Sequence, residues 1–222
     1  MKRYTRFTLI YLNLLSGLAC AAENDALWQV SQSDFGGTGL MQTPTGRMAE
    51  EGELNIGASI NSDYHHYMVS LQLMPWLETT LRYTRVPGVL YNEDKEYSGD
   101  NLYTDRGVDV KIRLLEESFY LPEASIGFRD LAGTGLFDGE FIAATKRVGS
   151  LDFTLGLGWG YLGQSGTASN PACKLKNSYC TRPSDTKASG GTLDTQRWFK
   201  GPAAIFGGLE YQTLYEPLRL KL

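Results

Sequence analysis

Residues 151–163 read LDFTLGLGWGYLG, and their side chains alternate in size with a period of two. Leu151, Phe153, Leu155, Leu157, Trp159 and Tyr161 fall on one side; Asp152, Thr154, Gly156, Gly158 and Gly160 fall on the other. That period belongs to a strand, because successive Cβ atoms of a strand point to opposite faces. A strand in a water-soluble sheet turns its large residues to a core and its polar ones to water. Here the second face is mostly glycine, which anchors no core and weakens an ordinary strand. Any fold for this chain must give the apolar stripe a medium to face and must have a use for an opposite side kept small.

Helices do not supply that medium. Mean hydropathy is −0.27, and no apolar run approaches the roughly 18 residues of a membrane-spanning helix. A membrane barrel stays compatible, since its strands alternate and average to near-neutral hydropathy. The 222 residues suffice for the core of one domain or two. A net charge of −4, with no basic cluster interleaved with aromatics, points away from nucleic acid as a partner.

The N-terminus predicts export. Lys2, Arg3 and Arg6 precede the apolar run FTLIYLNLLSGL, and ACAA follows it. This is a charged n-region, an h-region and a small-residue cleavage site, so residues 1–21 are read as a signal peptide. GLAC, ending at Cys20, also looks like a lipobox with Gly17 in place of a larger aliphatic residue, which leaves lipidation of Cys20 open beside simple cleavage. In an oxidising compartment the nearby thiols Cys173 and Cys180, within NPACKLKNSYCTRP, are expected to pair as a loop staple. No second Cys or His pair follows that would suggest zinc.

Alternation recurs along the chain. It predicts strands over 53–61, 67–73, 79–84, 108–114, 125–129, 151–162 and 203–212, with a weaker one at 140–148 whose face is ambiguous. The chain stops within a ninth candidate, LRLKL. Short turns are predicted at MPWLE, EESFYLPE, 149–150 and TLYEP; longer polar links at 62–66, 87–105, 130–139 and 163–201. Short turns on one side and long loops on the other are the pattern of an outer-membrane barrel. Trp76, Trp159, Tyr161, Tyr211 and Tyr215 sit near strand ends, where an aromatic girdle belongs. The expected fold is therefore an all-β antiparallel outer-membrane β-barrel of eight to nine strands over 53–222, after a lead-in segment at 22–52. A secreted soluble β-sandwich alternates too, but leaves the loop rhythm unexplained.

SQSDFGGTGLMQTPTGRMAEEGEL, LQLMPWLETTLRYT, KIRLLEES, GFRDLAGTGLFDGEF and DFTLGLGWGYLG closely resemble the YjbH/GfcD-like exopolysaccharide biosynthesis family, and the likeness runs from Ser31 to Leu222. The resemblance implies an outer-membrane β-barrel acting in production or export of an extracellular polysaccharide or capsule. It implies a periplasmic GfcC-like protein and other products of the same operon type as partners. It also implies that this chain corresponds to the N-terminal part of a longer architecture, an incomplete barrel, because nine strands with the last cut short are not an even, closed set.

Catalysis is not expected. His65 and His66 sit together in SDYHHY, read as an exposed link, and a loop dipeptide seldom holds a base against a nucleophile. GGTGLMQTPTG lacks the Lys-Ser/Thr ending of a phosphate loop, and Glu116-Glu117 falls in a turn, unlike paired glycosidase carboxylates. No metal site or cofactor is expected. Strand parity places Arg82, Lys111, Arg113, Arg129, Arg219 and Lys221 on the glycine-bearing side, with Asp109, Asp152 and Glu210. Two roles stay open for them: pairing within the wall, or, for Arg82, Lys111, Arg113 and Arg129, guiding an anionic polysaccharide along a lumen. The functional expectation is a transport or assembly component of the outer membrane, in contact with its lipid. A general porin and a secreted soluble binding module are the alternatives.

Overall fold

The computed structural model describes residues 30–92, 96, 99–183, 193–215 and 218–222. The predicted signal peptide and Cys20 lie outside the described residues. Nine strands are formed: β1 (Leu54–Ile60), β2 (His65–Met74), β3 (Leu77–Leu90), β4 (Leu102–Leu115), β5 (Glu123–Arg129), β6 (Gly139–Val148), β7 (Leu151–Trp159), β8 (Ala203–Gln212) and β9 (Arg219–Lys221). They make one antiparallel sheet in sequence order, with β1 and β9 as its two edges, so the sheet is not closed on itself. Among the described residues, no helix is long and apolar enough to cross a membrane.

Burial in this sheet is inverted relative to a soluble protein. Side chains of one parity are apolar and exposed: Ile56 is 78% accessible, Leu81 59%, Leu155 65% and Ile205 58%. Those of the other parity are polar and hidden, with Thr84 and Ser125 at 0% and Arg82 at 2%. What covers the polar side is the lead-in segment. Residues 30–48 fold into a compact double turn, with bridges Gln32–Thr38 and Gly39–Pro44, and lie on the inner face with Phe35, Leu40 and Met48 buried.

The glycines of the inner face are answered by rings. Gly127 lies opposite Phe141 across the β5–β6 ladder, and Gly156 lies opposite Phe206 across β7–β8. A Cβ on Gly127 would meet the Phe141 ring at 2.1 Å, and one on Gly156 would meet the Phe206 ring at 2.2 Å. The missing side chains therefore make room for a neighbouring strand's phenyl group.

Three expectations need correction. β2 begins at His65, so the first link shrinks to 61–64 and the short/long rhythm holds only for the later connections. His66 is not an exposed loop residue: it is 2% accessible and points inward. β7 ends at Trp159, where Gly160 takes a positive φ of 60° and turns the chain. Tyr161 thereby swings inward onto Phe137, and Trp159 is covered by Phe199, so neither contributes to an outer girdle. Trp76, Tyr211 and Tyr215 do remain exposed at the short-turn end.

Gly127→Val should lower the urea midpoint by the equivalent of about 1–3 kcal/mol, the usual cost of overpacking. Adding Phe141→Ala should recover part of that loss, which a double-mutant cycle measures.

Candidate functional site

The concave inner face, with the lead-in segment seated on it, gathers the charged side chains that parity placed together. At its centre Arg47 Nε donates to Asp152 Oδ2 on β7 at 2.9 Å, and Nη2 pairs with Oδ1 of the same carboxylate. Nη1 reaches Glu123 Oε2 at 3.1 Å and also pairs with Glu117 in the β4–β5 turn. Burial alone would lower the Arg47 pKa, but the hydrogen-bonded Asp152 and the Glu117 carboxylate outweigh it and hold the guanidinium more firmly charged than usual. Burial likewise pushes Glu117 up, yet the Arg147 backbone N–H, Arg47 and Lys146 outweigh it and hold this carboxyl below its ordinary range. Gly46 N–H donates to Thr145 Oγ1 on β6, fixing the backbone beside the clamp.

Arg82, Lys111, Arg113 and Arg129 all point inward, as alternation predicts, and each is engaged. Lys111 Nζ contacts Glu78 Oε1 at 3.1 Å, the Thr38 carbonyl at 3.2 Å and the Thr38 hydroxyl. Arg113 pairs with Glu116 at 2.9 Å and Glu123 at 3.5 Å. Arg82 pairs with Asp109, and its guanidinium lies 5.2 Å from the Phe35 ring centroid. Arg129 stands 4.5 Å from that centroid and donates to the Gln42 carbonyl at 3.2 Å. Phe35 thus receives two cations and also contacts His66, Phe137 and Tyr161, where the negative ring face favours positive charge. Arg219 pairs with Glu210, and Lys221 donates to the carbonyls of Gln32, Gly39 and Leu40.

At the long-loop end the β5–β6 connection folds inward. Asp130, with a positive φ of 58°, receives the Gly135 N–H on Oδ2 at 2.8 Å, and Asp105 receives Thr134. Burial, reinforced by the nearby Asp105 carboxylate, pushes the Asp130 carboxyl up to about 6. The connection after β7 lies across the outer rim instead. Trp198 packs on Phe128, and Arg182 pairs with Glu140 at 3.0 Å and with Asp138 at 2.7 Å. Cys173 and Cys180 are joined in a disulfide in this connection. The buried Asn170 side chain gathers the loop by donating to the carbonyls of Tyr179, Phe199 and Gly201.

Among the described residues, no three His, Cys, Asp or Glu side chains group as a metal site. The arrangement binds and orients the chain's own lead-in. Sequence reasoning missed Arg47, Phe35 and Phe137, because nothing in a glycine-rich lead-in or a loop announces burial; the only signal was the anomalous aromatic content of otherwise polar links.

A family model described as exopolysaccharide biosynthesis protein YbjH matches residues 31–222. A protein of Escherichia coli strain K12, named uncharacterized lipoprotein YjbH, is 55% identical over 192 residues, which are 86% of this chain and 27% of that protein. The chain therefore spans about a quarter of the length of the curated relative it matches. No solved structure matches.

Arg47→Met should cost about 3–5 kcal/mol, since it leaves buried carboxylates without their cation. Limited proteolysis should then cut first within 30–52. Asp130→Asn should act through pH. Between pH 3.8 and about 6 the folded chain keeps a proton that the unfolded chain releases, so ionising Asp130 weakens the fold as pH rises. Urea midpoints of variant and wild type should coincide near about pH 4 and favour the variant above pH 6.

Proposed function

Because the chain belongs to the YjbH exopolysaccharide biosynthesis family, we propose that it is an outer-membrane β-barrel component of exopolysaccharide or capsule production or export. The observation that carries this reading is the inverted burial. An outward face of aliphatic residues over a polar, internally satisfied face suits hydrocarbon, where every backbone polar group must find its partner within the protein. In water the same face would leave Ile56, Leu81, Leu155 and Ile205 exposed together, which counts against a secreted soluble module. β2, β6 and β8 have 10 residues each, within the roughly 9–11 needed to cross. On this reading the nine strands are a section of barrel wall that further pairing at β1 and β9 completes.

The role is assembly or transport, with no catalytic step. Outer-membrane lipid, an anionic polysaccharide and a periplasmic GfcC-like protein are its proposed partners. The relative's name as a lipoprotein supports lipidation at Cys20. The lead-in occupying the concave face counts against a general porin. Guiding of polymer by Arg82, Lys111, Arg113 and Arg129 requires the lead-in to release them, since it or its neighbours now hold their charges.

The test compares outward positions. Leu155→Arg puts a cation in mid-strand at an expected cost of about 2–4 kcal/mol and should deplete the heat-modifiable outer-membrane form. Leu175→Arg, in the disulfide loop and already 86% accessible, should not. Equal effects would defeat the membrane reading. In the same strains, Gln at all four lumen cations tests guiding: reduced secreted sugar at normal abundance supports it, and undiminished secretion removes it.

A further inference from the structure

The outward face is not uniform. On β2–β4 the register sorts it into rows from the long-loop end downward. The first row aligns His65, Arg85 and Thr104; the second aligns Tyr67, Tyr83 and Arg106; the third aligns Val69, Leu81 and Val108. Polarity thus falls in one direction: cations first, then phenols with a cation, then aliphatic groups alone. Arg85 and Arg106 are both exposed. They are diagonal neighbours on one face, which sets their Cβ atoms about 7–8 Å apart, within joint reach of one small anion. The Tyr67 and Tyr83 rings lie side by side with centroids 6.5 Å apart, directly below Arg85.

Arg85 and Arg106 differ from the inward arginines in having no partner. Arg82, Arg113 and Arg129 each meet a carboxylate or a carbonyl, whereas no hydrogen bond or ion pair joins Arg85 or Arg106 to a described residue. The β5–β7 sector of the same rim is covered by the loop carrying Trp198 and Phe199, with Arg182 neutralised by Asp138 and Glu140. The β2–β4 sector is left bare with its charge unmatched.

We propose that Arg85 and Arg106, with Tyr67 and Tyr83 beneath them, form a binding site for the phosphate-bearing headgroup of a membrane lipid whose chains lie on the aliphatic rows below. Guanidinium forks suit phosphate oxygens, and phenols suit the boundary between headgroup and hydrocarbon. The lipid is favoured over a soluble phosphate because the aliphatic rows continue without a break from the cations. The inference rests on the reading of the outward face as lipid-exposed.

The experiment is co-flotation of the purified full chain with phosphatidylcholine vesicles, with or without phosphorylated lipid A, for wild type, Arg85→Gln/Arg106→Gln and Arg85→Lys/Arg106→Lys. Phosphorylated lipid A should strengthen wild-type association. The Gln pair should lose about tenfold of that affinity and the Lys pair less, because ammonium keeps charge without the fork. Dephosphorylated lipid A should give no gain. Flotation with plain vesicles, but no preference for phosphate or no loss in the Gln pair, overturns this site and leaves the membrane reading standing. Competition to completion by inorganic phosphate overturns the lipid as the ligand. Failure of every variant to float with any vesicle overturns both.

Discussion

Everything in this structure follows from the need to satisfy a polar sheet face without water. Arg47 carries the largest share, binding Asp152 through two nitrogens and drawing Glu123 and Glu117 onto the third. A buried charge is tolerable only when paired and hydrogen-bonded. One guanidinium from the lead-in thus makes three wall carboxylates admissible, and Lys111, placed between Glu78 and Thr38, repeats the arrangement on the opposite side. The lead-in touches the sheet through polar atoms far more than apolar ones. Position and orientation are therefore set by hydrogen-bond geometry, which is stricter than hydrophobic contact.

That arrangement gives meaning to the two faces of the strands. The exposed side follows a rule of composition, large and aliphatic, that any neighbour of similar character could meet. The hidden side follows rules of pairing: Gly127 exists for Phe141, Gly156 for Phe206, Thr145 for Gly46. The family match supplies a setting, exopolysaccharide biosynthesis, in which a wall of this kind has a use.

Alternation was enough to locate every strand and to assign Arg82, Lys111, Arg113 and Arg129 to the inner face, because a period of two is imposed by the backbone itself. The same logic misplaced the end of β7. Trp159 and Tyr161 continue the pattern in the sequence, but Gly160 breaks the strand between them, and periodicity carries no information about a residue free to take positive φ. His66 was misread for a related reason: its partners Phe35 and Phe137 come from segments without regular structure, and no local pattern brings them together. Pairing across long separations, such as Arg47 with Asp152, is settled by three-dimensional charge matching and has no signature in either neighbourhood.

The contacts of the lead-in also fix an order of events. Ser31 hydrogen-bonds Glu210 and Gln32 accepts from Lys221, so the first described residues close against the last two strands. Such pairings span most of the chain and must wait until its far end is in place, which makes them the slowest to form. The segment that emerges earliest during synthesis is therefore among the last to come to rest. Until it does, the concave face stays hydrated, and the wall remains a flexible sheet that can still accept or reject its neighbours at either edge.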